Sequence, residues 1–528
     1  MTLLAEPAAE RPAPTRLAAA APWVVLAAAV AVRLELFFHN RSFWLDESLL
    51  GLNLIEKSVH GLFGALAYGQ SAPPGFLLVQ KAALGLFGER EQTLRLFPLI
   101  ASIVGLWFVW LVARRLLPHW PAVVALTIFA ANDVAIYQSS EAKPYSSDVA
   151  VAMVLFWLGL RAIDDLAAGR AVRAVAPSAA AGIVAVWISY PSVFILGATF
   201  VALLARAALD RRSSAVGLLV GAGMIVGGSL LAVYLISSRS ISSVQRSVFV
   251  GDTQPSSRVR GVAGQLWEAI TDPGGFPDKT RGIVLVCVAV GVLVLFTRWS
   301  LERIVLVAGP TTLAVVAALI NAYPFGGRFS LFLVPYLTIV VALGVLELVS
   351  SGGRRFVVGA LLLLFVVAVP VGRTFGTAVR PPTRENVRPL LHVLDRSWRS
   401  GDTLYVYRNA QYALRFYAEC LDCGVRPVPF PLRDAASGVD NAGTAAALAS
   451  SPPSVVVGRG GPPPAQTLRS LDALRGRSRV WLLFSHVQTV ASSLDEEQLF
   501  LTYLDTFGRR LGSWTEPGAA LYLYNLAS

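Results

Sequence analysis

An acidic pair stands directly after the first apolar run of the chain. Asp46 and Glu47 follow Phe43 and Trp44, two aromatic residues of the kind that sit at a lipid–water interface. Ionisable groups beside a membrane are costly, so two adjacent carboxylates there favour a chemical role over two solvated loop charges. A carboxylate in this position can remove a proton from an incoming hydroxyl group, which is the task of a general base.

A second polar group lies about a hundred residues later, in the segment YQSSEAKPYSSD. This segment contains Glu141, Lys143, Tyr145 and Asp148, and Pro144 interrupts the helical pattern between two apolar runs. It thus brings acids, a base and a phenol to one membrane surface. The alternative is a charged interfacial turn in which Glu141 and Lys143 pair with each other or extend toward the lipid headgroups.

A third group is the segment YPFGGR, which ends at Arg328. Its two glycines free the backbone to approach a ligand, and the planar guanidinium of Arg328 can bind a phosphate; the alternative is an arginine that only anchors the turn at the interface.

A base that accepts a hydroxyl proton, together with cations that stabilise a departing phosphate, meets the requirements of glycosyl transfer from a lipid phosphate. A single displacement of this kind inverts the anomeric centre of the sugar.

The elements that must position these groups are membrane helices. The chain has 528 residues, of which 55% are hydrophobic and only 15% charged, and its mean hydropathy is +0.59. Soluble proteins are about 25% charged, so this composition excludes a soluble enzyme and a disordered regulator. The apolar runs are long, continuous and rich in Leu, Val and Ala, which excludes a membrane β-barrel. The sequence predicts a polytopic α-helical membrane protein.

About eleven apolar runs predict the transmembrane helices, and arginine clusters lie in the short loops between them. If the stretch 72–88 lies on the membrane surface and does not span, every cluster falls on one face, as the positive-inside rule requires. We therefore expect a disordered cytoplasmic N-terminus over residues 1–16 and an odd number of spans within 17–373. The predicted runs are 17–38, 94–113, 121–137, 149–163, 174–190, 191–208, 216–236, 283–296, 304–320, 329–349 and 356–371.

This topology places all three polar groups on the outer face of a plasma (inner) membrane. The loop 39–91, the turn at Glu141, the loop 237–281 and the turn 323–328 all fall there, together with the chain after Arg373. The loop 237–281 is a candidate cover for an acceptor cleft. The net charge of +12 follows from the arginine-rich inner loops, so we expect no nucleic acid partner.

The composition changes at residue 380, where the long apolar runs stop. Short β-rich runs then alternate with helical patterns, which predicts an extracytoplasmic α/β domain over residues 380–528. Cys420 and Cys423 are expected to form a disulfide or to stay as free thiols, because no second pair or neighbouring His cluster completes the four ligands of a zinc site; a metal site is the alternative. The predicted strands are 402–407, 454–458, 480–487 and 520–524, and the predicted helices are 411–419 and 494–504.

Four short motifs together resemble a known family. They are WLDE (Trp44 to Glu47), APPG (Ala72 to Gly75), LRLFP (Leu94 to Pro98) and EAKPY (Glu141 to Tyr145). In this order, before a C-terminal outer domain, they resemble the glycosyltransferase C superfamily, GT-C. The similar branch contains the dolichyl-phosphate-mannose protein mannosyltransferases and the bacterial aminoarabinose and galacturonic acid lipid transferases.

The resemblance implies roles for the acidic residues. It implies a polyprenyl-phosphate-linked sugar as donor and an extracytoplasmic lipid, glycan or protein as acceptor. Asp46 corresponds to the base that activates the acceptor, and Glu47 supports it. A second acidic residue is expected in the next outer loop, and the resemblance does not choose between Glu141 and Asp148. A basic residue that lipid transferases carry near the first prolines has no counterpart here, because Ala72 stands in its place.

The donor phosphate is expected to bind Lys143, Tyr145 and Arg328. A divalent cation between Asp46 and this phosphate is an alternative to a metal-free base, and no other cofactor is implied. Two other functions stay open beside the enzyme. A transporter or flippase for lipid-linked saccharides requires discontinuous helices and repeated halves, which the sequence does not show. A non-catalytic glycan-assembly subunit would not depend on Asp46.

Overall fold

The computed structural model describes most of the chain and separates it into two units. The described residues are 16–238, 255–272, 276–277, 280–350, 353–424, 455–458, 468, 471–491 and 494–527. The first unit, called the helical unit, comprises Met1–His39, Val59–Gln80 and Arg95–Pro381, and the second, called the sheet unit, comprises Asn40–Ser58, Lys81–Leu94 and Pro382–Ser528.

Long helices form the N-terminal three quarters of the chain. Apolar side chains fill their sequences, and a helix satisfies every backbone polar group within itself, as a bilayer requires. Among the described residues, the short 3-10 segments His60–Phe63 and Gly327–Leu333 lie between them. The helices are α1 (Arg16–His39), α2 (Leu45–Glu56), α3 (Pro74–Phe87), α4 (Glu91–Leu116), α5 (His119–Ala130), α6 (Asp133–Gln138), α7 (Tyr145–Ala167), α8 (Ala171–Ile188), α9 (Ser192–Leu209), α10 (Ser213–Ser238), α11 (Pro255–Thr271), α12 (Arg281–Arg298), α13 (Leu301–Leu319), α14 (Val334–Ser350) and α15 (Gly353–Val379).

Nine of the described helices are long and apolar enough to cross a membrane. The chain is therefore a multi-pass membrane protein, and the predicted fold class is confirmed. The sequence predicts about eleven transmembrane helices. The number found is smaller because the runs 121–137 and 149–163 do not form helices that meet this description. The first of them divides at Asn132, whose side chain accepts the Ala135 N–H at 2.7 Å and starts the separate helix α6.

Helix α3 corresponds to the stretch 72–88, and the predicted topology depends on whether this stretch spans the membrane. It has 14 residues, fewer than the roughly 20 that a span needs. It is apolar and begins at Pro74, a favourable residue for the first turn of a helix. Its length agrees with a helix that does not cross the membrane.

Small residues allow two membrane helices of the helical unit to pack closely. A Cβ atom at Gly291 of α12 would overlap the Val340 carbonyl of α14, and one at Gly344 would overlap the Cys287 carbonyl. In a membrane, where the hydrophobic effect does not drive helices together, such close backbone contact supplies the attraction. On another side of α14, the Tyr336 ring stacks on the Phe156 ring of α7, with centroids 4.7 Å apart.

A mixed five-stranded sheet forms the centre of the sheet unit, as predicted for the C-terminal region. Its order is β2-β1-β3-β7-β6; β1 to β3 are parallel, and β7 runs antiparallel to β3 and β6. Strand β6 was not predicted, because its charged, largely exposed residues lack a clear alternation. The elements are β1 (Thr403–Val406), β2 (Val455–Val457), β3 (Val480–Ser485), β4 (Thr489–Ala491), β5 (Leu494–Asp495), β6 (Arg509–Glu516), β7 (Ala519–Asn525), α16 (Val387–Ser397), α17 (Ala410–Glu419) and α18 (Glu496–Leu504).

Two pieces of the first predicted outer loop fold with the C-terminal region. The sequence suggests that residues 39–91 belong with the membrane helices, whereas Asn40–Ser58 and Lys81–Leu94 belong to the sheet unit. Helix α2 packs on α17, where the Phe43 and Phe416 rings stack with centroids 4.7 Å apart. A disulfide joins Cys420 and Cys423, which is one of the states that the sequence left open.

Candidate functional site

The acidic pair lies in the first turn of α2, within the sheet unit. Asp46 is partly exposed, whereas Glu47 is fully buried. Neighbouring residues of a helix point about 100° apart, so the two carboxylates do not share one face. Carboxylates in a first turn are favourable because the helix dipole is positive there. Of the two, only Asp46 is placed to meet a molecule from outside this unit.

Residues far along the sequence hold the segment that leads into α2. The Phe43 N–H donates to the Tyr417 hydroxyl at 2.8 Å, and the Tyr417 hydroxyl donates to Glu91. The Ser42 hydroxyl donates to Asn386 at 2.7 Å. Burial and the nearby Glu91 carboxylate raise the pKa of Tyr417. The phenol therefore stays protonated and can donate its hydrogen to Glu91.

Arg388 completes this attachment. Its guanidinium pairs with Glu91 and donates to the Asn40 carbonyl at 2.6 Å. Sequence reasoning did not identify Tyr417, Asn386 or Arg388, since each contacts a residue several hundred positions away. A contact at that separation leaves no local pattern in the sequence.

The second group surrounds the start of α7, within the helical unit. Glu141, Lys143 and Asp148 are all buried, with at most 8% of each residue exposed. The Lys143 ammonium donates to the Gln70 side-chain oxygen at 2.7 Å. Their burial does not fit side chains that extend toward the lipid headgroups, which is one form of the alternative.

The third group joins the second in the helical unit. Gly326 and Gly327 adopt φ values of 108° and 51°, conformations that glycine takes without strain. The turn that they form places the Arg328 guanidinium 5.3 Å from the centre of the Tyr145 ring. Phe329 contacts the same ring edge-on at 5.6 Å. Arg328 and Tyr145 thus lie together.

Asp148 belongs to a polar cluster that the sequence did not indicate. The Ser189 hydroxyl lies close to its carboxyl group, and Asp148 Oδ1 has no hydrogen-bond partner among the described residues. The neighbouring Tyr190 hydroxyl contacts the Ala72 carbonyl at 2.9 Å and Ser237 at 3.0 Å. The segment SYP, which interrupts two apolar runs just as KPY does, is the signal that could have identified this cluster.

The glycine of the APPG motif allows two helices of the helical unit to pack closely. A Cβ atom on Gly75 would lie 2.7 Å from the Trp187 carbonyl oxygen, so the start of α3 closely approaches the end of α8. Only glycine permits this approach without a shift of the backbone. The motif therefore fixes the backbone beside Ala72, which accepts the Tyr190 hydroxyl.

The structure does not identify a metal ligand set. Among the described residues, no three His, Cys, Asp or Glu side chains are grouped so as to hold a metal ion. The predicted cover over residues 237–281 falls partly outside the described residues, which here include α11.

Part of the chain resembles a known mannosyltransferase family. Residues 71–237 match the family model described as dolichyl-phosphate-mannose-protein mannosyltransferase. No curated protein matches the chain. The apo structure of ArnT from Cupriavidus metallidurans is similar over 96% of this chain and 99% of its own, with 14% identity and a TM-score of 0.49. The structure of the same protein bound to undecaprenyl phosphate is similar over 96% of this chain and 98% of its own, with 13% identity and a TM-score of 0.49. The family match confirms the resemblance that APPG, LRLFP and EAKPY indicated; Asp46 and Arg328 lie outside the matched residues.

Proposed function

Because residues 71–237 resemble a mannosyltransferase family whose named donor is a dolichyl phosphate, we propose that this protein is an inverting glycosyltransferase. It moves a sugar from a polyprenyl phosphate to an extracytoplasmic lipid, glycan or protein. The observation that carries this proposal is Asp46 itself, a partly exposed residue in the first turn of α2, beside the buried Glu47. Glu47 keeps a supporting role, since its burial separates it from an incoming molecule.

The proposed step is one displacement at the anomeric carbon. Asp46 accepts the proton of an acceptor hydroxyl, and the resulting oxygen attacks the sugar from the side opposite the phosphate. The bond from the anomeric carbon to the phosphate oxygen breaks as the new glycosidic bond forms. Polyprenyl phosphate departs with the electron pair, and the proton on Asp46 passes to solvent.

Residues of the helical unit are proposed to stabilise the departing phosphate. Lys143 offers an ammonium group, Tyr145 a hydroxyl and Arg328 a planar guanidinium, and cationic donors of this kind stabilise charge that develops on a leaving group. The contact between Arg328 and Tyr145 supports a shared role. Glu141 and Asp148 are both buried, so each is a candidate for the second acidic residue.

The proposed location follows the arginine-rich loops. We place the chain in the plasma (inner) membrane with a cytoplasmic N-terminus, and we place the C-terminal domain and the reaction on the outer face. The distribution of arginines supports this orientation, because clusters such as Arg114 with Arg115 and Arg211 with Arg212 then share the cytoplasmic face.

Substitution of Asp46 tests the proposed base. Purified protein is incubated with a panel of radiolabelled polyprenyl-phosphate sugars and membranes from a strain that lacks the chain. Wild type should transfer label, and Asp46→Asn should reduce transfer by about 100-fold or more, because the amide cannot accept the hydroxyl proton.

Glu56→Gln serves as the matched control. Glu56 is an acidic residue at the other end of α2 and pairs with Arg415 at 2.9 Å. This variant should transfer label normally. If Asp46→Asn is as active as Glu56→Gln, the catalytic role of Asp46 is wrong. If wild type transfers no label from any donor, a transporter or a non-catalytic subunit becomes the better explanation.

A further inference from the structure

The helix that carries Asp46 lacks a cap of its own. The first N–H groups of a helix have no partner within it, and a preceding side chain usually accepts one of them. The residue before α2 is Trp44, whose side chain cannot do so. The Leu45 N–H instead donates to Glu385 Oε2 at 3.0 Å. A residue 340 positions away therefore caps this helix.

Glu385 is itself held tightly. It is only 5% exposed, and both of its carboxylate oxygens accept hydrogen bonds. Ser485, at the end of β3, donates to Oε2 at 3.1 Å, and His486 Nδ1 contacts Oε1 at 2.7 Å. A negative group at a helix N-terminus is also favoured by the helix dipole. The carboxylate thus connects the end of a central strand to the first turn of α2.

His486 adopts an uncommon backbone conformation to make this contact. Its φ is 51°, which costs a non-glycine residue free energy unless surrounding interactions hold it. Asn409 donates to its carbonyl oxygen at 2.8 Å. The hydrogen bond to Glu385 raises the pKa of His486, and the negative charge of Asp46 contributes to this rise.

Neighbours of Glu385 contact the same short segment. The Arg384 guanidinium lies 4.3 Å from the centre of the Trp44 ring, and Asn386 accepts the Ser42 hydroxyl at 2.7 Å. Three consecutive residues of the C-terminal region thus hold the residues that precede Asp46. Because the attachment continues on both sides of Glu385, the start of α2 has one defined position.

We infer that Glu385 is a positioning residue for Asp46, acting through the Leu45 N–H and supported by His486. This inference rests on the proposed role of Asp46 as the general base. A base must lie within hydrogen-bond distance of the proton that it removes, so a small displacement of α2 lowers the rate of the chemical step. Donor binding depends on other residues and should not change.

Substitutions of Glu385 provide the test, with the full-length protein and the radiolabelled donor that wild type uses. Glu385→Ala removes the cap and should lower kcat about 10- to 100-fold while donor KM stays within about 2-fold. Glu385→Gln retains an oxygen that can accept the Leu45 N–H, so it should recover most of the lost kcat. Recovery by the glutamine variant distinguishes positioning from a general loss of stability.

Asp402→Ala is the matched control. Asp402 is 3% exposed in the same unit and accepts Arg479 Nε and Trp481 Nε1, each at 2.7 Å. Its loss should lower Tm, as the loss of Glu385 does, but should leave kcat near the wild-type value. If Glu385→Ala lowers kcat no more than Asp402→Ala does, or acts through KM alone, the inference is wrong.

Two further results keep the outcomes separate. If Glu385→Ala does not fold, His486→Ala replaces it in the test. This variant removes one hydrogen-bond partner of Glu385 and should lower kcat about 3- to 10-fold at unchanged KM. An unchanged kcat would overturn the inference. If Asp46→Asn abolishes transfer while Glu385 variants are fully active, the proposed function stands and only the positioning role fails. If Asp46→Asn is itself active, the proposed function fails first.

Discussion

Single residues of similar chemistry differ here in how the fold exposes them. Asp46 and Glu47 are neighbours in sequence, yet one is partly exposed and the other fully buried. Glu141 and Asp148 are buried as well. The sequence identifies these acids as candidates, whereas their burial decides which of them an incoming hydroxyl can approach.

His486 gives a prediction at the residue scale. Its hydrogen bond to Glu385 raises its pKa above the ordinary value of about 6.5, and the charge of Asp46 acts in the same direction. A group with a raised pKa stabilises the folded state fully below its unfolded pKa, and this contribution is lost as pH rises through the folded pKa.

His486→Gln should therefore lower Tm more at about pH 5.5 than at about pH 9. Thermal unfolding of wild type and variant in the same detergent, at both pH values, measures this. An equal decrease in Tm at the two pH values would contradict the charged His486–Glu385 pair.

At the scale of elements, close backbone approach matters as much as apolar surface. The start of α3 approaches the end of α8 through Gly75, and α12 approaches α14 through Gly291 and Gly344. In both places a side chain larger than hydrogen would separate the elements. The APPG motif, which contributed to the family resemblance, thus also has a packing role.

Gly75→Ala tests that role. The new methyl group would lie 2.7 Å from the Trp187 carbonyl, and relief of this overlap should cost about 1–3 kcal/mol. Gly85→Ala in the same helix is the control, because no neighbouring atom of the described residues lies within 4 Å of its Cβ position and alanine favours a helix. We expect Tm to fall for Gly75→Ala and to stay or rise for Gly85→Ala. Equal Tm values would contradict the close approach.

At the scale of the whole molecule, the proposal depends on which residues face outside. Leu511, on β6, is 47% exposed and is expected on the outer face. Arg211 is exposed between α9 and α10 and is expected in the cytoplasm. The free thiol of Cys287 is buried, and Cys420 is bonded to Cys423, so background labelling should be low.

Cysteine labelling tests this topology. In intact spheroplasts, a membrane-impermeant maleimide should label Leu511→Cys, but it should label Arg211→Cys only after permeabilisation. The opposite pattern would place Asp46 on the side opposite to the expected donor and acceptor, and would refute the proposed location of the reaction.

The sequence by itself determined most of the membrane helices and most strands of the C-terminal sheet, because apolar runs and alternation are local patterns. It also identified the acidic and basic candidates, since short motifs carry them. Only the tertiary structure decided that Asn40–Ser58 folds with the C-terminal region and that Glu385 caps the helix of Asp46. These contacts join residues hundreds of positions apart, and a hydrogen bond over that separation depends on the folded backbone, which no local pattern records.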